Sequence, residues 1–133
     1  MDLLKAIHDR WAADATLDAL LDSQYVHTGI FQSQSPEPPY ATITLTSDSP
    51  RLNTNDGSQL REVTVRVSIV HANHDAGRQI VEAVRAAFHR AAFTLDGGSE
   101  VINSTLAANS ELQDSQTGVW QFSLDLLFMV YLA

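Results

Sequence analysis

The chain of 133 residues contains no cysteine. That excludes disulfides, thiolate nucleophiles and cysteine-ligated metals, and it leaves the redox compartment open. Basic residues are scarce: eight against 16 acids, for a net charge of −8. They are scattered as Lys5, Arg10, Arg51, Arg61, Arg66, Arg78, Arg85 and Arg90, with no run that could track a phosphate backbone. A large negative field repels phosphate, so sequence-specific nucleic-acid binding is not expected. Long hydrophobic runs are missing too. The longest, Leu124–Ala133, contains Asp125 and is too short to span a bilayer. Met1-Asp2-Leu3-Leu4-Lys5 leads directly into a mixed helix, so neither a secretory signal nor a membrane partner is expected.

What remains is a globular composition, 44% apolar with mean hydropathy near zero, on a length that suits one domain over residues 1–133. Asp2 is placed to cap a helix whose apolar positions Leu3, Leu4, Ile7 and Trp11 recur at helical spacing. Ala12 to Ala15 breaks that pattern, and Thr16, Leu17, Leu20 and Leu21 add a short second helical turn. Tyr25–Phe31 reads as a strand with Gly29 as a bulge or close-approach point. The prolines of Pro36-Glu37-Pro38-Pro39-Tyr40 then impose extended backbone.

From Tyr40 the period is two. Ala41, Ile43 and Leu45 face one way and Thr42, Thr44 and Thr46 the other. Ser47–Ser58 is a loop by composition, and a long one for a hairpin. Arg61–Val70 resumes the alternation, with Val63, Val65, Val67 and Ile69 against Thr64, Arg66 and Ser68. Asn73 or Asp75 caps a helix over about Ala76–Ala92, whose stripe is Ile80, Val81, Val84, Ala87, Phe88 and Ala91. Asp96-Gly97-Gly98 is a turn and Val101–Leu112 a weaker strand. Trp120, Phe122, Leu124, Leu126, Phe128 and Val130 form the longest alternating apolar face. The fold class expected is α+β: a single domain, an antiparallel β-sheet with helices packed on one face, and a long β-hairpin loop.

Candidate chemistry is thin. His71, His74 and Asp75 could seat a metal in a small metal-dependent enzyme, since imidazole and carboxylate suit zinc or iron. The plainer reading is a strand end followed by helix caps. His8, His27 and His89 read as solvated surface groups, with no nucleophile motif beside them. Asp9, Asp14, Asp18 and Asp22 spread over a polar helix surface. A small-ligand or regulatory domain would need a pocket lined by Phe88, Trp120 and Phe122, residues that a plain core also requires. No catalytic residue, cofactor or metal is expected. The uncharged row Thr42, Thr44, Thr46 could be a solvent face or an interface, because such residues bury without stranding a charge.

The helical start, the Pro38-Pro39-Tyr40 approach to a strand, Asn55-Asp56-Gly57 and the run Arg61–Val70 form an ordered series. The helix segment Ile80–Phe88 and the closing Trp120–Leu126 complete it. In this order they resemble the tail-completion proteins of tailed phages and prophages, a family similar in organisation to tail terminators. The resemblance spans nearly the whole chain. It implies a structural protein of the virion tail or neck, found in host cytoplasm during assembly. Such a protein forms a ring, commonly a hexamer, that caps the tail tube and meets the head connector. Its partners would be its own copies, the tail tube protein and head connector proteins. The family has no catalytic residues to transfer. The resemblance points to Ser47–Ser58 as a loop that orders on assembly, and the expected interface is Thr42, Thr44, Arg51, Asn53, Asn55, Asp56 and Arg66. Net negative charge suits a ring around passing DNA.

Overall fold

In the computed structural model, which describes residues 2–28, 37–53 and 57–132, aspartates set the first turns. Helix α1 (Leu3–Ala13) is capped by the Asp2 carboxylate, which accepts the Lys5 N–H at 2.9 Å. Asp14 ends it and caps α2 (Ala15–Leu20), accepting from the N–H groups of Thr16 and Leu17. Asp18 accepts from Ser23 N–H and Asp22 from Gln24 N–H, closing the 3-10 turn Ser23–Tyr25. The row of carboxylates thus builds turns as well as meeting solvent. Trp11 is fully buried, and its indole N–H donates to the Leu21 carbonyl at 2.9 Å, so this corner hides no unsatisfied polar atom.

One sheet of six strands follows, in the order β1-β2-β3-β6-β5-β4. The strands are β1 (Val26–Thr28), β2 (Tyr40–Asn53), β3 (Gln59–His71), β4 (Phe93–Thr94), β5 (Glu100–Gln113) and β6 (Trp120–Leu132), with α3 (His74–Phe88) after β3. Neighbours are antiparallel except β1 on β2, so the sheet is mixed where an antiparallel one was expected. The reason is where the chain leaves the helical corner: Val26 lies opposite Ala41, so both strands start from the same end. Of the strand expected over Tyr25–Phe31, Tyr25 belongs to the turn, and Gly29–Phe31 lie outside the described residues.

The centre obeys the alternation. β3 pairs with β6 from Gln59↔Leu132 to His71↔Trp120 with no register shift. Val63, Val65, Val67 and Ile69 lie opposite Phe128, Leu126, Leu124 and Phe122, and all are buried. The expected apolar stripe of α3 covers them, with Ile80, Val84 and Phe88 essentially inaccessible. Gly77 marks the closest approach: a Cβ built there would overlap the Phe122 ring. Helix and sheet meet at that point because one residue has no side chain.

Helix α3 starts at His74 with Asn73 as its cap and stops at Phe88, short of the expected Ala92. A buried serine explains the stop. Ser104 Oγ on β5 donates to the Phe88 carbonyl and accepts from the Ala91 N–H, while its carbonyl takes the Arg90 N–H at 2.6 Å. Arg90 sits at φ 58° to make the turn. Arg10 braces the same corner, donating to the Ala87 carbonyl and lying 5.0 Å from the Phe93 ring centre.

The hairpin differs most from expectation. Ser47–Asn53, read as loop, is the outer half of β2 and pairs with β3 from Ser47↔Thr64 to Asn53↔Gln59. Polar composition hid the strand because none of these residues is buried, so no alternation was imposed on them. Two bulges, between Leu45 and Ser47 and between Pro50 and Leu52, absorb the irregular sequence. Thr46 is the extra residue of the first, and its hydroxyl donates to the Thr64 carbonyl. The threonine row therefore ends at Thr44.

Gly77→Ala should destabilise the fold by about 1–3 kcal/mol through overpacking, and adding Phe122→Leu should recover part of the loss. Phe88→Ala should cost about 3–5 kcal/mol. Urea denaturation of the purified proteins checks all three, and a neutral Gly77→Ala would contradict the close approach.

Candidate functional site

The helices cover one face of the sheet and leave the other open. On the open face β2 places Thr42 opposite Ser68 and Thr44 opposite Arg66, while β6 sets Ser123 and Asp125 beside those β3 residues. β5 continues the face with Asn103, Thr105, Ala108 and Ser110. Small uncharged side chains predominate on its β2 and β5 strands, and β6 adds the partly exposed Leu127, Met129 and Tyr131. The two arginines of the face are matched: Arg66 grips Asp125 through Nε at 2.9 Å and Nη2 at 3.3 Å, a two-pronged pairing. Arg51 Nε meets Glu62 at 2.6 Å. Asp125 raises the Arg66 pKa first through its hydrogen bonds and then through its charge, so the guanidinium stays charged. A surface whose charges neutralise each other can be buried without stranding an ion.

Of the expected interface residues, the structure brings Thr42, Thr44 and Arg66 together on this face. Arg51 and Asn53 lie farther out on the same hairpin, Asn53 opposite Gln59. Asn55 and Asp56 lie outside the described residues. The expected interface names no residue of β5, the strand that extends this face. Ile102 and Leu112 are 44% and 70% exposed there, and the weak alternation of that strand was the available signal.

The histidine cluster does not converge. His71 Nδ1 accepts the Asn73 N–H at 3.0 Å, and burial lowers its pKa. His74 stands edge-on to Trp120 at 4.4 Å between ring centres and faces Glu111 at 3.3 Å. Among the described residues no three His, Asp or Glu side chains are grouped to hold a metal. His8 and His89 are half-buried rather than solvated. His8 Nε2 donates to the Ser23 carbonyl, and His89 Nδ1 accepts the Leu106 N–H. Phe88, Trp120 and Phe122 do not come together around one pocket: Phe88 is core, Trp120 packs on His74, and Phe122, though nearly buried, borders the groove under α3. A groove of about 320 Å³ does lie between α3 and the β5–β6 hairpin, but its Arg78 and Arg85 already face Glu111 and Glu82.

Comparison with known proteins adds to this geometry. A family model described as "Tail completion protein gp17" matches residues 5–131. A chain in the structure titled "Virion of native gene transfer agent (GTA) particle" has the same fold, with a TM-score of 0.74 and 15% identity. The match covers 97% of this chain and 94% of that one; at such identity it speaks to fold alone. No curated protein matches the chain in sequence.

The histidine geometry gives two expected outcomes. Purified protein should carry no stoichiometric zinc or iron by elemental analysis, and a His71→Ala/His74→Ala double variant should leave that result unchanged. Metal lost with the double change would restore the enzyme reading. Separately, the depressed His71 pKa means the unfolded chain binds the proton more readily than the fold, so stability should fall as pH drops below about 6.5. His71→Gln should flatten that part of the urea-midpoint profile.

Proposed function

The chain belongs to the tail completion protein gp17 family, and from that premise we propose that it closes the end of a phage tail tube as a ring of identical subunits. Membership makes it a structural tail protein and a virion component. The family match over residues 5–131 carries the reading. In it, residues 1–133 act as one assembly domain, the ring is a hexamer, and its outer surfaces meet the tail tube protein and the head connector. The protein works by self-association, not catalysis, and needs no cofactor.

Two features support this. The open sheet face, with Thr42, Thr44 and Arg66 at its centre and Arg51 and Asn53 beyond, has both of these arginines paired with carboxylates, Asp125 and Glu62. Protein can cover such a face at little electrostatic cost. Asn55 and Asp56 join that interface on the ground of sequence position alone. Meanwhile, five acids fall within the first 22 residues, Asp2, Asp9, Asp14, Asp18 and Asp22, and only Asp9 is matched by a lysine. An acidic helix layer beside the passage would keep DNA from sticking. Ring closure requires a contact between unlike patches on successive copies. Among the described residues, no helix is long and apolar enough to cross a membrane.

Deleting the gene from a phage or prophage that carries it should leave filled heads and separate tails, visible by electron microscopy. Infectious titre should fall by orders of magnitude and return when the wild-type chain is supplied in trans. Thr42→Glu, which adds a charge opposite the uncharged Ser68 on the open face, should keep the wild-type melting temperature yet fail to restore titre. Normal titre without the gene would overturn the reading.

A further inference from the structure

We propose that successive copies join edge to edge: the outer half of β2 in one subunit hydrogen-bonds the free edge of β5 in the next, antiparallel, continuing the sheet around the ring. This rests on the ring reading above and names its joint. The first ground is coverage. β1 pairs with β2 only at Ala41–Ile43, and β4 pairs with β5 only at Glu100 and Val101. Among the described residues, Ser47–Asn53 and Ile102–Gln113 therefore have a strand on one side only. Ser47–Asn53 and Ala108–Gln113 each present a row of backbone donors and acceptors to whatever lies alongside, whereas nearer β4 the Ser104 carbonyl already takes the Arg90 N–H and the Leu106 N–H goes to His89 Nδ1.

The second ground is composition. The exposed large apolar side chains on the described surface are Tyr25, Leu45, Leu52, Ile102 and Leu112, and four of these five lie on β2 and β5. Ile102–Ser110 contains no charged residue. In Ser47–Asn53 the two charges are already answered from β3, Asp48 by Arg61 at 2.7 Å and Arg51 by Glu62. Natural edges are usually guarded by lysine or inward-pointing charge. Here the guards are Pro50 and two bulges in each strand, at Leu45/Ser47 and Pro50/Leu52 in β2 and at Val101/Asn103 and Leu106/Ala108 in β5. They break each edge into short regular runs, which permits a matching edge and discourages indiscriminate stacking.

Direction supplies the third ground. Three successive antiparallel pairings separate β2 from β5, so the two run oppositely. A rotation about an axis along the strands keeps their sense and brings β5 of the next copy antiparallel to β2. The free stretches also lie toward opposite ends of the sheet: Ser47–Asn53 lies level with Leu127–Leu132 of β6, whereas Ala108–Gln113 pairs with Asp125–Trp120. A tilted, closing sheet needs such a stagger between its first and last strands.

Because the chain has no cysteine, introduced thiols are the only ones. Ser47→Cys is combined in turn with Asn103→Cys, Thr105→Cys, Ala108→Cys or Ser110→Cys, positions whose pairing puts all five on the open face. Tails purified from lysates complemented with each variant are oxidised mildly and run without reductant. At least one double variant should give a ladder in steps of 14.6 kDa, while every single variant stays a monomer band. Dimers from a single variant would mean that an edge meets its own counterpart and would overturn the joint. So would doubles that reach wild-type amounts in tails without a ladder, leaving the ring reading standing, or a band linked to a different tail protein. Absence of even the wild-type chain from tails would defeat the ring reading itself.

Discussion

The register of β3 on β6 is the constraint from which the rest of the molecule follows. Thirteen residues of β3 pair with β6 without a slip, and a shift by one would turn Val63, Val65, Val67 and Ile69 to the open face. Phe122, Leu124, Leu126 and Phe128 would stay on the helix side, so the two apolar sets would no longer share a face. With the register held, the apolar side of this pair receives α3, and Gly77 lets the helix settle onto Phe122. The opposite side receives nothing from the described chain. One buried face and one open face are thus a single outcome of one pairing.

That asymmetry separates two kinds of surface. The helical side concentrates carboxylates, several of them spent on turns: Asp2, Asp14, Asp18 and Asp22 each accept a backbone N–H. The open side has small uncharged residues and ion pairs that cancel locally, Arg66–Asp125 foremost. Exposed pairs of this kind add little to monomer stability. Their value lies in permitting contact with another protein without an unmatched charge. A face of this composition can be covered by protein at little electrostatic cost. The histidines fit that picture, since His8, His71 and His89 each bond a backbone group and His74 packs on Trp120.

Much of the fold was legible in the chain, and the legible parts share a cause. Buried strands and helices must alternate at their own period, so β3, β6 and α3 declared themselves through Val63–Ile69, Phe122–Val130 and Ile80–Phe88. Where burial stops, so does the signal. Ser47–Asn53 is exposed on both faces and passed for loop, although backbone hydrogen bonding to β3 makes it strand. The end of α3 was misplaced because Ser104, distant in sequence, supplies the bonds that turn the chain after Phe88.

By itself the sequence determined the fold class, the central apolar faces and, through the order of its segments, the family. These depend on periodicity and composition, which are local properties of a chain. Tertiary structure alone decided that β1 joins parallel to β2, that β5 stands exposed beside a nearly neutral face, and that Thr46 leaves the threonine row while Thr42, Thr44 and Arg66 stay together. The candidate assembly surface belongs to this second group. It consists of edges and register, and a strand acquires an edge only when its neighbours have been placed.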